Sequence, residues 1–208
     1  VLAVAPERRD AVDALEHLYR AQGRWPDVVD LYERRLGFAT TVEEAVALRV
    51  QLGEIHEKHL RDFETAIDNY SAALSGDQKN AVALAAVERY LIDPDLRVVA
   101  AEVLEPIYVG QQRWNDLIRV YEARLESTSD PRERLKLTRF VARLYEEQLE
   151  DFEHASQWYA KVFREAPGDQ AIRDQLQRLA SMIDNWAFVA QTYQGYLDDE
   201  AGEPPALR

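Results

Sequence analysis

The sequence predicts an all-α fold: a right-handed superhelical solenoid of antiparallel helical hairpins with about eleven helices. Three observations lead to this prediction. The chain contains an internal repeat, alternate helices open with an aromatic residue followed at a fixed distance by a tyrosine, and no segment alternates polar and apolar residues as a strand does. In such a fold each hairpin buries its apolar face only against its neighbours.

The repeat relates two pairs of segments by one offset. Residues 24–36 read RWPDVVDLYERRL, and residues 113–125, which lie 89 positions later, read RWNDLIRVYEARL. The same offset takes the Asp-Phe-Glu of residues 62–64 to that of residues 151–153. Because two separate motifs share one offset, they indicate an internal super-repeat rather than a chance similarity.

The second helix of each predicted hairpin opens with an aromatic residue, and a tyrosine follows seven residues later. Seven residues are about two turns of an α-helix, so both rings lie on one face. Because the pairs recur with the repeat, we interpret them as packing between helices and not as a ladder for stacking a ligand. The pairs are Trp25 and Tyr32, Phe63 and Tyr70, Trp114 and Tyr121, Phe152 and Tyr159, and Trp186 and Tyr193.

Local start signals place the helices in order. Asp130 precedes Pro131 and so provides an N-capping acid before a proline at the first helical position. Asp93 and Pro94 repeat this arrangement, and Pro26 lies at the start of another helix. The predicted helices span residues 7–22, 26–38, 42–60, 63–75, 80–91, 95–111, 115–127, 131–149, 151–165, 169–183 and 185–199.

The steps between the opening aromatic residues are uneven, at 38, 51, 38 and 34 residues. The step of 51 exceeds the shortest step, 34, by 17 residues. Seventeen residues are enough for one extra helix, and we place this helix at residues 80–91. The similarity of residues 104–114 to residues 15–25 makes helix 95–111 the partner of the helix that follows it. Pro106 lies inside helix 95–111 and is expected to kink it, because proline lacks an amide donor and crowds the preceding turn.

Two hairpins share an order of large apolar, small and aromatic or imidazole residues in the first helix, then small and aromatic residues in the second. The matching residues are Leu52-Gly53, His56, Ala66, Tyr70 and Ala73 in one hairpin, and Val141-Ala142, Tyr145, Ala155, Tyr159 and Pro167 in the other. In this pattern the chain resembles the tetratricopeptide repeat family over essentially its whole length. Both hairpins carry one residue more than the family spacing between their two helices, and the tryptophan-containing hairpins match the pattern loosely.

We interpret residues 1–208 as a single repeat domain cut from a longer array. Residues 1–6 match residues 162–167, which indicates the end of a preceding helix, and residues 206–208 echo residues 47–49. Since neither end shows an evident polar cap, further repeats of the parent chain are expected on both sides. The hairpins span approximately residues 7–38, 42–75, 95–127, 131–165 and 169–199, with the extra helix at residues 80–91.

Composition bears on the partners and on the compartment. The chain has 25 Lys and Arg against 38 Asp and Glu, and its net charge of −13 would repel a phosphate backbone, so no nucleic-acid partner is expected. It has no cysteine for disulfides or thiolate metal sites. The segment shows neither a signal peptide nor a membrane-spanning apolar run, so we expect a soluble chain without membrane insertion, in a compartment that the sequence leaves open.

Catalytic and cofactor motifs are not evident. No glycine-rich phosphate loop, nucleophile elbow or HExxH helix is present, so we predict that the chain is not an enzyme and binds no cofactor. His56 and His59 lie three residues apart and could form half of a zinc site. The super-repeat aligns them with Tyr145 and Gln148, so we interpret them as packing positions and predict no metal site.

The resemblance implies that the first helices of the two best-matching hairpins line a concave groove. The implied positions are Ala47, Val50, Glu54, Glu57 and Lys58 in one helix, and Lys136, Arg139, Arg143, Glu146 and Glu147 in the other. Lys136, Arg139 and Arg143 follow a spacing of three and four residues, which puts three cations on one stripe of a helix. Such a stripe could bind an acidic segment or a C-terminal carboxylate through charge-assisted hydrogen bonds. The alternative is an ordinary solvated face, with Arg143 paired to Glu146 or Glu147.

The sequence thus predicts a protein-interaction scaffold that binds a peptide or a partner protein on its concave face. The predicted partner-binding residues are Lys136, Arg139, Arg143, Val50, Glu54 and Glu57. Chaperone-binding members of the family clamp a carboxylate with asparagines as well as basic residues, and this stripe has no asparagine, which disfavours that class of partner. A structural spacer or self-assembly segment of a larger multidomain protein is the alternative function, and a regulatory segment of an enzyme is a third.

Overall fold

The computed structural model describes residues 9–202 of the 208-residue chain. Within that range it contains eleven α-helices and no strand, which confirms the predicted all-α class. The predicted similarities of residues 1–6 and 206–208 to other segments lie outside the described residues. The helices are α1 (Arg9–Ala21), α2 (Trp25–Leu36), α3 (Val42–Ile55), α4 (Phe63–Gly76), α5 (Ala81–Arg89), α6 (Arg97–Gln111), α7 (Trp114–Ser127), α8 (Pro131–Arg143), α9 (Phe152–Glu165), α10 (Gln170–Ile183) and α11 (Trp186–Gly202).

Side-chain caps explain where many of the helices begin. Asp130 accepts a hydrogen bond from the Arg132 amide at 3.1 Å, and α8 begins at Pro131 as predicted. A cap of this kind satisfies an amide that has no partner within the helix. The same role is filled by Thr41 for α3, Asp62 for α4, Asn80 for α5, Asp151 for α9 and Asp169 for α10.

The start of α6 lies two residues later than predicted. A short 3-10 turn follows α5, and α6 begins at Arg97. The Asp93 side chain accepts a hydrogen bond from the Asp95 amide at 2.9 Å, and the Asp93 carbonyl accepts one from the Arg97 amide at 2.9 Å. Asp130 makes the same two bonds at the start of α8, so the predicted start signal is present and is followed by one turn before the regular helix.

The extra residue in each of the two best-matching hairpins coincides with a π-helical turn. Such a turn continues α3 over His56–Leu60 and continues α8 over Leu144–Gln148. A π turn holds one more residue than an α turn, because its hydrogen bonds run from residue i to residue i+5. The first helices therefore accommodate the longer spacing by widening at their C-terminal ends.

Each turn within a hairpin contains one residue in the left-handed region, two positions before the aromatic residue that opens the next helix. These residues are Gly23 (φ 67°), Arg61 (58°), Gln112 (55°), Glu150 (52°) and Asp184 (52°). The repeat thus extends to backbone conformation, although glycine, which adopts this region without steric cost, occupies only the first of the five positions.

The chain divides into two compact units after Ile107. The division falls within α6, which continues without interruption through Pro106. In unit 1, α1 packs on α2, α2 on α3, α3 on α4, and α4 on α5. In unit 2, α7 packs on α8, α8 on α9, and α9 and α11 both contact α10 as well as each other.

The tyrosines of the repeated aromatic pairs form much of the buried interior. Four of the five are buried, namely Tyr32, Tyr70, Tyr121 and Tyr159, which confirms that they pack between helices. Tyr193 is half-buried. Of the aromatic residues that open the helices, Trp186 is 52% exposed, so packing does not account for its side chain.

Gly53 allows the closest approach of α3 to α4. A Cβ atom at this position would lie 2.6 Å from Cε1 of the buried Tyr70 ring, closer than packed atoms approach. We expect Gly53→Ala to lower the free energy of unfolding by about 1–3 kcal/mol, because the ring that must shift is 1% exposed and its hydroxyl is hydrogen-bonded to Glu57. Urea unfolding followed by circular dichroism measures the effect.

The control is Gly110→Ala in α6, where an added Cβ meets no atom within 4 Å. This change is expected to stabilise the protein by up to about 1 kcal/mol, since alanine is the better helix former. An unchanged or raised midpoint for Gly53→Ala would contradict the proposed close packing.

The left-handed turns allow a reciprocal test at two equivalent positions, Gly23 in unit 1 and Gln112 in unit 2. We expect Gly23→Gln to destabilise the protein by about 1 kcal/mol and Gln112→Gly to stabilise it by a smaller amount, because only glycine adopts a positive φ without strain. Thermal unfolding of both variants measures the pair. If both substitutions moved the melting temperature in the same direction, factors other than φ would determine the stability of these turns.

Candidate partner-binding groove

A hydrogen-bond network centred on Glu146 connects the helices of unit 2. The Tyr159 hydroxyl on α9 donates a hydrogen bond of 2.8 Å to Glu146, which lies in the π turn after α8. The same carboxylate accepts hydrogen bonds from Gln175 and Arg178 on α10, and its side chain is only 13% exposed. Glu146 thus ties three consecutive helices together.

Unit 1 contains the same network. The Tyr70 hydroxyl on α4 donates to Glu57 at 2.9 Å, and Arg89 on α5 donates to the other Glu57 oxygen at 2.7 Å. We call each set the Tyr-Glu-Arg staple: Tyr70, Glu57 and Arg89 in unit 1, and Tyr159, Glu146 and Arg178 in unit 2. Each member of the unit 1 staple lies 89 residues before its counterpart in the unit 2 staple.

The staple of unit 1 also shows how the extra helix, α5, is attached to the hairpin before it. Arg89 lets α5 bind the α3–α4 hairpin in the way that Arg178 lets α10 bind the α8–α9 hairpin. The helix that the spacing marks as an insertion therefore occupies the place of the first helix of a following hairpin.

Glu57 was predicted to bind a partner, but its side chain is 15% exposed and already has two internal hydrogen-bond donors. A partner would reach this carboxylate only by competing with those bonds. Burial raises the pKa of Glu57, but the hydrogen bonds from Arg89 and Tyr70 outweigh it and leave the pKa below its ordinary value. Glu57 is therefore ionised at neutral pH, as the ion pair requires.

Unit 2 contains a cleft of about 730 Å3 between α8, α9 and α10. The staple forms part of this cleft, because Glu146 and Tyr159 both line it. The remaining lining residues are Arg132, Leu135, Lys136, Arg139, Phe140, Arg143, Glu147, Ala171, Ile172 and Gln175. We call this cleft the cationic groove, since four cationic and two anionic side chains line it in a protein whose net charge is −13.

The three predicted cations all lie in the cationic groove. Lys136 and Arg143 are exposed, and each is paired with an acid of its own helix: Lys136 Nζ lies 3.5 Å from Glu133, and Arg143 donates to Glu147 at 3.0 Å and 3.4 Å. Of the two partners considered for Arg143, the structure thus shows Glu147. Exposed pairs of this kind contribute only about 0.2–1 kcal/mol each, so a ligand carboxylate can replace them at little cost.

Arg139 is held differently. Its Nη2 donates at 2.7 Å to Asp169, the N-cap of α10, so this pair connects two helices across the groove. The hydrogen bond from Arg139 holds the pKa of Asp169 below its usual range. The Arg139 Nε atom is buried and has no hydrogen-bond partner among the residues that the structure describes. Arg139 therefore helps to shape the groove and retains an unused donor.

The equivalent surface of unit 1 has a different charge. By the 89-residue offset, a half-buried Val50 stands in the place of Arg139, and Glu54 stands in the place of Arg143. Glu54 pairs with Lys58 at 2.9 Å, which reverses the charges of the Arg143 pair in unit 2. The two predicted binding surfaces thus occupy equivalent positions in the fold but carry side chains of different charge.

Sequence reasoning did not find Arg132 or the staples. Arg132 lies four residues before Lys136, so extending the spacing of the stripe by one turn would have found it. The staples could have been found by comparing charged residues at the 89-residue offset, because Arg89 and Arg178 align as well as the aromatic residues do.

The histidines that might have bound a metal make other contacts. The His59 ring stacks on Trp25 with 3.4 Å between ring centroids, and His56 lies 3.5 Å from Asp62. Across residues 9–202, no group of three or more His, Cys, Asp or Glu side chains is arranged to hold a metal ion. Over the same residues, no helix has both the length and the apolar character needed to cross a bilayer.

Comparison with known families finds the tetratricopeptide repeat model at two places, residues 11–45 and 100–135. The two matches begin 89 residues apart and so follow the super-repeat. They fall on the tryptophan-containing hairpins, which match the quoted residue pattern loosely.

A solved structure of Pseudomonas aeruginosa PilF also matches, with 18% identity over 97% of this chain and 79% of that chain and a TM-score of 0.30. A likeness this distant indicates nothing specific about what this chain binds. Among curated proteins, no match was found.

The staple predicts a measurable coupling between Glu57 and Tyr70. Glu57→Ala is expected to lower the free energy of unfolding by about 1–3 kcal/mol, because it leaves a buried hydroxyl without an acceptor. Arg89→Ala, which removes a 58% exposed partner, is expected to cost less than about 1 kcal/mol. Urea unfolding of the single variants and of a Glu57→Ala and Tyr70→Phe double variant measures the coupling.

The double variant is expected to be more stable than the sum of the two single changes predicts, since the second change removes the orphaned hydroxyl. Strictly additive effects would show that the hydrogen bond between Tyr70 and Glu57 contributes nothing to stability.

Proposed function

We propose that this chain, a tetratricopeptide-like helical repeat protein, binds an acidic segment of a protein partner in the cationic groove of unit 2. Tetratricopeptide repeats generally mediate protein-protein interaction, and proteins of the family are typically scaffolds without catalytic activity. The observation that carries the proposal is the concentration of four cations around one cleft of an otherwise acidic protein.

The chemistry of the rim suits carboxylates. Guanidinium and ammonium groups make charge-assisted hydrogen bonds with carboxylates, and these are among the strongest that side chains form. Lys136 is 76% exposed and Arg143 is 61% exposed, so both reach a ligand without rearrangement of the core. Arg132 is also exposed and adds a fourth cation at the end of the stripe.

The base of the groove adds apolar contact. Phe140, whose ring packs on Tyr121, is 39% exposed, and the half-buried Leu135 and the exposed Ala171 also line the cleft. A partly exposed aromatic ring beside a cationic rim favours a ligand that carries an apolar side chain as well as acids, because burial of apolar area provides most of the affinity in protein recognition. The proposed ligand is therefore acidic and amphipathic rather than simply acidic.

We assign a different role to the equivalent face of unit 1. Val50 and Glu54 present an apolar and an acidic side chain where unit 2 presents two arginines. This face would repel the acidic segment that the cationic groove attracts, so contacts made there by Val50, Glu54 or Glu57 belong to a ligand of another kind. Like-charge juxtaposition of this sort discriminates between ligands.

The test compares the wild-type chain with a groove variant carrying Lys136→Glu, Arg139→Glu and Arg143→Glu. The matched control carries Arg119→Glu, Lys161→Glu and Arg164→Glu, which change the net charge equally at exposed positions of unit 2 outside the groove lining. After circular dichroism shows that all three proteins are folded, each serves as bait for affinity capture from lysate of the source organism.

We expect a protein that binds the wild-type and control baits but loses about tenfold or more in affinity for the groove variant, with binding that weakens as salt increases. Equal retention by all three baits would show that the groove is not the binding surface. Capture of no partner by any bait would favour the structural spacer.

A further inference from the structure

The four cations of the groove follow helical spacing along α8. Arg132, Lys136, Arg139 and Arg143 are separated by four, three and four residues, and all four line the same cleft. At a rise of about 1.5 Å per residue, their positions along the helix axis are separated by about 6.0, 4.5 and 6.0 Å. The pattern is the same in both directions, so a ligand could match it whether parallel or antiparallel to α8.

A second α-helix reproduces these intervals with acids at positions i, i+4, i+7 and i+11, because its rise per residue is the same. An extended strand places the side chains of one face about 6.6 Å apart at even intervals. Four acids on a strand would cover about 20 Å, whereas the four cations cover about 16 Å. The shorter and uneven intervals therefore favour a helical ligand.

The walls of the groove are also helical. Leu135 and Phe140 flank the cations on opposite sides of α8, because five residues turn a helix by about 140°. Leu135 lies on the side of Arg139, which pairs with Asp169 of α10, and the exposed Ala171 of α10 lines the same cleft. A ligand that meets the cations and these apolar residues at once needs an acidic stripe with apolar residues beside it. An amphipathic helix has this arrangement, and it packs into the groove between two helices through the ridges of side chains on all three.

We propose that the cationic groove binds an amphipathic α-helix of the partner, with acids at i, i+4, i+7 and i+11 and an apolar stripe beside them. This inference rests on the proposed function, and it specifies the conformation of the acidic segment. The helix lies along α8, its acids pair with the four cations, and its apolar stripe contacts Leu135 and Ala171.

The experiment uses three fluorescent peptides of about 18 residues, a length that supports a helix, and the first two have the same glutamate, leucine and alanine content. The first peptide places glutamates at i, i+4, i+7 and i+11 beside a leucine stripe. The second places the glutamates at alternate positions, as on one face of a strand. The third is the first with one central alanine replaced by proline. Fluorescence anisotropy measures binding to the wild-type chain, to the groove variant and to the matched control.

We expect the first peptide to bind the wild-type chain and the matched control more tightly than the second does, and to gain helical circular dichroism when it binds. The central proline is expected to weaken binding on the order of a hundredfold, because it breaks the helix. The groove variant is expected to lose this preference.

Equal or tighter binding of the alternating peptide, or no effect of proline, would overturn the helical ligand while leaving the proposed acidic partner in place. If no peptide binds the wild-type chain more tightly than it binds the groove variant, both proposals fail.

Discussion

The hydroxyl of a buried tyrosine is the constraint on which the rest of the structure depends. Tyr70 and Tyr159 fill the interior between helices, and a hydroxyl at such a depth costs free energy unless it has a hydrogen-bond partner. Glu57 and Glu146 provide that partner, and each carboxylate is in turn paired with an arginine. In both units this arginine comes from the next helix along the chain, so the group that accepts the tyrosine hydrogen bond also contacts a third helix.

The same contacts position the helices that form the cationic groove. Arg178 and Gln175 bring α10 to Glu146, and α10 then forms the wall of the groove that faces α8. The contact between Arg139 and Asp169 holds the same two helices at the other end. Charges that hold the helices together and charges exposed in the groove thus lie on the same helices, and Arg139, which pairs with Asp169 and lines the groove, belongs to both groups.

The sequence predicted the class of fold, and the grouping of the three cations on one side of a helix, because both depend on periodic features. The aromatic positions and the cationic stripe recur at intervals that a helix fixes. Features that depend on tertiary contacts were not predictable in this way. That Glu57 accepts hydrogen bonds from Tyr70 and Arg89, for example, follows from which helix packs against which.

The two units have the same interior and opposite surface charges at Glu54 and Arg143. Neither side chain belongs to a staple, so each can change without disturbing the bonds that hold the helices together. In an internal duplication of this kind, the residues that hold the helices together can be kept while the surface residues that select a ligand change. One copy can therefore acquire a new ligand while the other keeps the old one, and a longer array built on the same plan could bind several ligands with a single architecture.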